Sequence, residues 1–210
     1  MLVRDRMATY PITIRPDASV PDALKVMQGS KVRQLPVISD SGELMGIVSL
    51  VDLFRVSPSP ATSLSVWEVD YLLEKITVEK VMTRDVITVS EDTAVEEAGR
   101  IMYDNRISGL PVMRGKELVG FFAESHLLFV LLELFGARTH GHRVMAKIAH
   151  QQGLLSKLTT AIATAGGQIE ALGLHGDSET VTFKVVNLDT QKLLDAIQPL
   201  VEEILDVRET

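Results

Sequence analysis

Two stretches of the chain follow one pattern: QLPVISDSGELMGIVSLVD at residues 34–52 and GLPVMRGKELVGFFAESH at residues 109–126. Each contains the apolar triplet LPV, passes through a polar segment with a glycine, and continues into a second apolar run that contains Gly46 or Gly120. Glycine with polar residues between two short apolar runs favours a tight turn. Each stretch therefore predicts a β-hairpin whose second strand leads into a helix.

The two hairpins belong to an internal repeat. Before each hairpin the chain predicts a short strand, ITI or ITV, and then a helix. Ser19 with Asp22 in the first copy, and Thr93 with Glu96 in the second, predict a capping box at the start of that helix. A shift of 75 residues pairs Met7 with Met82, Ile12 with Ile87, Thr13 with Thr88, Asp17 with Asp92 and Met27 with Met102. Each βαββα unit is small for an independent core, so we expect the two units to pack as one module.

The pattern changes after the second repeat. From Arg143 onward the chain predicts a strand, a helix closed by Gly166 and Gly167, two strands, a helix capped by Asp189 and a final strand. This βαββαβ order is that of the ferredoxin-like sandwich, and the fold class is α+β. The predicted boundaries are 1–60 for the first repeat, 61–76 for a linker and helix, 77–136 for the second repeat, 137–142 for a linker and 143–210 for the C-terminal domain.

Composition narrows the classes of function. The 210 residues include no cysteine, which excludes disulfides and thiolate zinc sites and suggests a reducing cytoplasm. A net charge of -7 disfavours a large nucleic-acid interface, and no apolar run is long enough for a membrane span. His140 and His142 lie in a glycine-containing linker and are not expected to bind a metal. Catalytic motifs are lacking, so the chain is not predicted to be an enzyme.

The GIVSLVD segment allows two interpretations. If a helix begins after Ser49, then Ser49 with Asp52 forms a capping box worth ~1 kcal/mol of stability. The same helix N-terminus could instead bind a phosphate, while Asp52 accepts hydrogen bonds from the hydroxyls of a ribose. Gly46 would then allow a ligand to approach the backbone. The motif alone leaves both interpretations open.

From Met7 to Phe135 the chain resembles the cystathionine-β-synthase-type (CBS) domain, which occurs as tandem pairs with two clefts. GIVSLVD matches the family signature Gly-hydrophobic-x-Ser/Thr-x-x-Asp/Asn. The resemblance implies an adenosyl ligand such as AMP, ADP, ATP or S-adenosylmethionine. It assigns Asp52 to the ribose hydroxyls and Ser49 to a phosphate or ribose oxygen. It also assigns Thr13, Pro36 and Val37 to the adenine slot. Arg33 is assigned to a phosphate.

The second repeat departs from this signature. GFFAESH has Ala123 and His126 where Ser49 and Asp52 stand, so it has neither the hydroxyl nor the carboxylate. We therefore expect this cleft to be empty or weak. Its candidate contacts are Thr88, Arg106 and His126.

The region after Arg143 resembles the ACT domain, a ferredoxin-like module that senses amino acids. HQQGLL corresponds to the family's first turn, with His150 in place of the usual acid and Gly153 retained. The resemblance suggests Gly153, Leu154 and Gln168 as ligand contacts, but a domain that only dimerises remains an alternative. A CBS pair followed by an ACT domain is similar to the acetoin-utilisation regulatory protein family.

These observations predict a cytoplasmic regulatory protein that binds an adenosyl effector in its CBS pair. Occupancy would be passed to the ACT domain or to a protein partner. The alternative is an amino-acid-sensing or purely dimerising protein in which GIVSLVD is only a helix cap. The apolar segment LLFVLLELF, residues 127–135, is expected either to form a helix contact in a homodimer or to be ordinary core.

Overall fold

The computed structural model of the chain describes residues 1–57, 65–149, 151–176 and 179–210. These residues form two compact units, Met1–Leu127 and Leu128–Thr210. Most of the predicted linker after the first repeat, residues 58–64, lies outside the described residues. Within the described ranges, no helix has the length and apolar character needed to cross a membrane.

The first unit contains both repeats. A short 3₁₀ turn at Val3–Asp5 comes first. The first repeat and the segment after it contain β1 (Ala8–Thr9), α1 (Val20–Ser30), β2 (Gln34–Ile38), β3 (Leu44–Ser49), α2 (Leu50–Val56), α3 (Val66–Glu74) and α4 (Val78–Val81). The second repeat contains β4 (Val89–Ser90), α5 (Val95–Asn105), β5 (Gly109–Arg114), β6 (Glu117–Ala123) and α6 (Glu124–Leu134). Both predicted hairpins form, and Ser65 with Glu68 forms a capping box at the start of α3.

The two repeats exchange their N-terminal segments. Strand β1, at the start of the first repeat, pairs with β6 of the second repeat in a sheet of order β1-β6-β5-β4. In the same way Thr83, near the start of the second repeat, forms an antiparallel bridge with Ile47 in β3 of the first repeat. This exchange connects the two repeats through backbone hydrogen bonds, and it decides which residues meet in each cleft.

Gly46 and Gly120 are required by this exchange. A Cβ atom added to Gly46 would lie 2.6 Å from Met82 Sδ and 2.8 Å from the carbonyl oxygen of Thr83. A Cβ at Gly120 would meet Met7 in the same way. The expectation that Gly46 admits a ligand was therefore wrong, because the neighbouring backbone segment already occupies that space.

The first helix of each repeat buries one apolar face, as its three- and four-residue spacing predicts. Hydrophobic burial of this face against the hairpin stabilises each repeat. The buried residues are Val20, Ala23, Met27, Leu35, Val37 and Val48 in the first repeat and Val95, Ala98, Met102, Leu110, Val112 and Phe122 in the second.

Two local predictions were wrong. The ITI segment forms only an isolated parallel bridge between Ile14 and Val37, because nearby Pro16 has no N–H group with which to extend a ladder. The Thr93–Glu96 capping box is absent, since α5 begins one residue later with Ala94 as its N-cap. The carbonyl oxygen of Met1 accepts the hydrogen bond of the first helical N–H group instead.

The second unit has the predicted βαββαβ order. It contains β7 (His142–Lys147), α7 (Leu154–Thr164), β8 (Gln168–Leu174), β9 (Thr180–Val186), α8 (Thr190–Ile197) and β10 (Glu203–Glu209). The four strands form an antiparallel sheet of order β10-β7-β9-β8. Both helices pack on one sheet face, with a core that includes Val144, Leu158, Ile162, Phe183, Val185, Leu193 and Ile197.

Candidate functional site

The first unit contains a cleft of about 720 Å³ beside the N-terminus of α2, which we call the Asp52 cleft. The first repeat contributes the start of α2 and the beginning of its hairpin, and the second repeat contributes two separate segments. Its lining consists of Arg33, Gln34, Ile47, Ser49, Leu50, Val51 and Asp52 with Thr83, Asp85, Val86, Ile87, Arg106, Ile107, Ser108 and Gly109. The cleft is therefore built jointly by the two repeats.

Ser49 and Asp52 form the capping box that their spacing predicts. The backbone N–H of Asp52 donates to Ser49 Oγ at 3.3 Å. Asp52 Oδ2 accepts hydrogen bonds from the Ser49 backbone N–H at 2.9 Å and from Ser49 Oγ at 2.6 Å. The N–H groups of Ser49 and Asp52 are thereby satisfied, so the motif has a structural role as a helix cap.

The other carboxylate oxygen of Asp52 is engaged much less. Asp52 Oδ1 lies 3.7 Å from the Arg55 guanidinium, a distance too long for a direct hydrogen bond. The Asp52 side chain is 21% exposed and the Arg55 side chain is 75% exposed, so water screens this pair. One oxygen of the carboxylate caps the helix while the other can accept a donor from the cleft, and the two interpretations of the motif are thus compatible.

Charged residues of both repeats line the Asp52 cleft. Arg106 lines it from the left-handed C-cap of α5, where its φ is 54°. Arg33 contributes a second guanidinium, and Asp85 contributes a second carboxylate. A cleft with cations beside a helix N-terminus and a carboxylate can bind a ligand that combines an anionic group with hydroxyl donors.

A second cleft of about 680 Å³ occupies the corresponding position beside the N-terminus of α6, and we call it the His126 cleft. The two clefts occupy equivalent positions in the repeat. Lys31 and Ile12 line the His126 cleft at the positions that Arg106 and Ile87 occupy in the Asp52 cleft. Its lining consists of Ala8, Tyr10, Pro11, Ile12, Lys31, Val32, Arg33, Gln34 and Pro36 with Ser108, Phe121, Ala123, Glu124, Ser125 and His126.

His126 takes over the capping function of Asp52. Its Nδ1 accepts a hydrogen bond from the backbone N–H of Ala123 at 3.1 Å, just as Asp52 accepts from Ser49. Its ring centroid lies 5.7 Å from that of Phe122, and partial burial lowers the pKa of the imidazole. The substitution keeps the cap but leaves no carboxylate oxygen at this position.

The structure distributes the predicted contacts differently from the sequence interpretation. Of the contacts predicted for the first site, Ser49 and Asp52 line the Asp52 cleft, and Arg33 lines both clefts. Pro36 lines the His126 cleft, Val37 is fully buried, and Thr13 lies outside both linings. Of those predicted for the second, His126 lines its own cleft, Arg106 lines the Asp52 cleft, and Thr88 lies outside both.

Sequence reasoning missed the contribution of residues 83–87 to the Asp52 cleft. It treated each cleft as the product of one repeat, whereas the exchanged segments combine the two. The repeat was the only sequence signal for this contribution. It pairs Ile12 with Ile87, but it does not show which cleft either residue lines.

In the second unit, Gly153 and Leu154 lie together at the start of α7. Gly153 adopts φ 80° at the N-cap, a conformation that favours glycine, and both residues line a cavity of about 540 Å³. Gln168 lies elsewhere, at the start of β8 opposite Val186. His150, the substituted acid of the predicted turn, lies outside the described residues.

The duplicated region matches a known family. The model of the CBS domain matches residues 3–59 and 78–133, which together are more than half of the chain. A CBS domain-containing protein of Dictyostelium discoideum is 30% identical over 138 residues, which are 64% of this chain and 93% of that protein. The homoserine O-acetyltransferase of Methanosalsum zhilinae is 29% identical over 126 residues, which are 60% of this chain but only 23% of the enzyme.

Solved structures share the fold of the duplicated region. A Vibrio cholerae protein named for acetoin utilization (AcuB) is 25% identical, with a TM-score of 0.54 and coverage of 66% of this chain and 95% of that one. The CBS domain pair of protein MJ0100, in complex with 5′-methylthioadenosine and S-adenosyl-L-methionine, is 27% identical with a TM-score of 0.52, and the coverage is 66% and 98%. CBSX2 in complex with AMP is 28% identical with a TM-score of 0.52, and the coverage is 62% and 96%.

Proposed function

Because the chain belongs to the CBS domain family, we propose that it is a regulatory sensor of an adenine nucleotide or another adenosyl metabolite. The ligand binds in the Asp52 cleft. The observation that carries the proposal is the divided role of the Asp52 carboxylate, whose Oδ2 caps α2 while Oδ1 has only a long contact with Arg55. The complexes of the similar MJ0100 and CBSX2 pairs with adenosyl compounds support this ligand class.

We assign roles within the cleft by charge and position. Asp52 Oδ1 accepts hydrogen bonds from the ribose hydroxyls, and Ser49 lies at the helix N-terminus where an anionic group is favoured. The apolar side chains of Val86 and Ile87 pack against the adenine. Arg106 and Arg33 face the phosphate of a nucleotide.

Regulation requires that the ligand bind two arrangements of the protein with unequal affinity. We propose that occupancy is communicated to the second unit, which we assign to the ACT domain, or to a protein partner in a reducing cytoplasm. The protein acts as a homodimer through α6, where large apolar side chains of the described chain are exposed to solvent. These side chains are Leu128, Phe129, Leu131, Leu132 and Leu134 in α6 and Phe135 directly after it.

Calorimetric titration and thermal unfolding of the whole chain test the ligand class. The ligands are AMP, ADP, ATP, S-adenosylmethionine and 5′-methylthioadenosine, with GMP and the common amino acids as controls. At a hundredfold excess over the dissociation constant, a bound ligand stabilises the native state by about 2.7 kcal/mol. We expect at least one adenosyl compound to bind with a stoichiometry of one per chain.

The alternative is an amino-acid sensor that acts through the second unit. The left-handed Gly153 at the start of α7 favours it, because a backbone free of a side chain can meet the polar end of a ligand there. A thermal shift caused by an amino acid, in the absence of any response to adenosyl compounds, would establish this alternative.

A further inference from the structure

The second unit contains a cavity that neither the repeat nor the ACT resemblance accounts for. It has a volume of about 660 Å³ and includes Thr182 and Lys184, which lie on the face of the β7–β10 sheet opposite α7 and α8. Leu174 is the one residue that its lining shares with that of the Gly153 cavity. Its size lies within the usual range for small-molecule sites, ~300–1,000 Å³. We call it the Lys184 cavity.

The alternation of β9 explains how the cavity forms. Val181, Phe183 and Val185 point into the helix-covered core, which leaves Thr182 and Lys184 on the opposite face. Their partners across the ladder in β8 are Gly173 and Ala171, respectively. These partners are too small to fill the space above the sheet. At one side Phe135 borders the cavity, since its ring would lie 3.4 Å from a Cβ added to Gly173.

Lys184 is the unusual residue in this lining. It is only 4% exposed, although a lysine side chain is rarely buried without an acidic partner. Its ammonium group donates to the carbonyl oxygen of Gly136 at 2.9 Å, and among the described residues no carboxylate forms an ion pair with it. An ammonium carries three N–H donors, so capacity for an anion remains.

The other polar groups of the cavity are already matched. His175 Nε2 and Thr182 Oγ1 hydrogen-bond at 2.8 Å, and Arg143 pairs with Asp206 at 2.9 Å. Most of the remaining lining is apolar, from Phe135, Ala137, Ala171 and Leu174. The cavity thus offers one buried cation within an apolar enclosure.

We propose that the Lys184 cavity binds a small monocarboxylate with an apolar body. The carboxylate accepts a charge-assisted hydrogen bond from Lys184 Nζ, and the apolar body covers Ala171 and Gly173 and packs against Phe135. The alternative is that Lys184 has only a structural role, as the hydrogen-bond donor to the Gly136 carbonyl after α6. In that case no such ligand binds. This proposal is independent of adenosyl binding in the Asp52 cleft.

An NMR titration of the whole ¹⁵N-labelled chain with octanoate tests the proposal, with 1-octanol as the neutral control of equal length. We expect saturable shifts of the amides around Gly173 and Thr182, and an affinity for octanoate at least about tenfold higher than for octanol. The Lys184→Met variant should lose this difference and bind the two compounds equally. The Gly173→Leu variant fills the cavity from the other strand and should bind neither compound.

Lys184→Arg keeps the positive charge and should retain part of the preference for octanoate. Preserved amide dispersion of α7 and α8 confirms that each of the three variants is folded, because Gly173 and Lys184 lie on the opposite sheet face. The proposal is overturned if octanoate causes no saturable shift in the native chain, if octanol binds equally well, or if Lys184→Met leaves octanoate affinity unchanged. If Lys184→Met does not fold, the titration of Gly173→Leu and the comparison of octanoate with octanol in the native chain test the proposal.

Discussion

The Asp52 cleft and the His126 cleft have corresponding backbones but different polar groups. Each lies at the N-terminus of the helix that follows a hairpin, and each receives a basic residue from the left-handed C-cap of the other repeat, Arg106 or Lys31. At the helix start, however, one has a serine and a carboxylate and the other has Ala123 and His126. Either the Asp52 carboxylate or the His126 imidazole can cap the helix. Two hydrogen bonds from the vicinal hydroxyls of a ribose, however, require a carboxylate as the acceptor.

The largest effect is expected from Asp52→Ala. This variant should lose ~2–4 kcal/mol of binding free energy for the adenosyl ligand, because the ribose hydroxyls lose a charged acceptor. Loss of the cap should cost only ~1 kcal/mol of unfolding free energy. Calorimetry and chemical denaturation measure the two losses separately.

Asp52→Asn and His126→Ala are matched controls for this experiment. Asn at position 52 can still accept from the Ser49 N–H, so it should retain most of the stability and still bind poorly. His126→Ala should leave adenosyl affinity unchanged. Equal ligand affinity in the native chain and Asp52→Ala would limit Asp52 to its capping role.

A double substitution should make the second cleft resemble the first. Ala123→Ser with His126→Asp restores the capping box in the second repeat, and the added carboxylate should contribute ~2 kcal/mol to binding of an adenosyl ligand there. We expect the calorimetric stoichiometry to rise from one to two per chain. A folded double variant that still binds one equivalent would contradict the claim that the carboxylate decides which cleft binds.

A smaller effect is expected from Arg106→Ala. Removal of this exposed guanidinium should reduce the binding free energy of AMP by ~1 kcal/mol, because the interaction with phosphate is partly screened. The reduction should be smaller at high salt. Adenosine carries no phosphate and should bind the variant and the native chain equally. Lys31→Ala is the control at the corresponding position of the other cleft. If Lys31→Ala weakened AMP as much as Arg106→Ala, the assignment of Arg106 to the Asp52 cleft would fail.

The smallest effect concerns pH. Because burial lowers the pKa of His126 below its ordinary value of about 6.5, the unfolded chain takes up the proton first as the pH falls. Stability from this residue is therefore complete above about pH 6.5 and is lost as the pH falls toward the folded-state pKa. Thermal unfolding between neutral and mildly acidic pH should show this loss.

His126→Asn is the control for the pH experiment. Asn can accept the Ala123 N–H without titrating, so this variant should have a smaller dependence on pH in the same range. An identical dependence in the native chain and in His126→Asn would assign the effect to other groups.

Local features were predictable from the sequence because their causes are local. The capping box of Ser49 with Asp52 depends on a spacing of three residues, and the βαββαβ order of the second unit depends on apolar periodicity and glycine stops. The box predicted at Thr93 failed because α5 begins after Ala94, the residue that the repeat aligns with Ser19, and alanine has no side-chain oxygen for a cap. In both repeats the first helical N–H donates to a distant carbonyl, of Ile76 or of Met1, so only the identity of the N-cap residue differs.

Two copies of one unit are visible in the amino-acid sequence, and so is the replacement of the Asp52 carboxylate by His126 in the second copy. The sequence could not determine which residues would stand opposite that carboxylate. The folded chain shows that the repeats exchange their N-terminal segments, that Arg106 lines the same cleft as Asp52, and that Lys184 is buried on the sheet face opposite α7 and α8. The physical reason is that hydrogen bonds and packing between segments far apart in the chain, unlike caps and turns, depend on the whole fold.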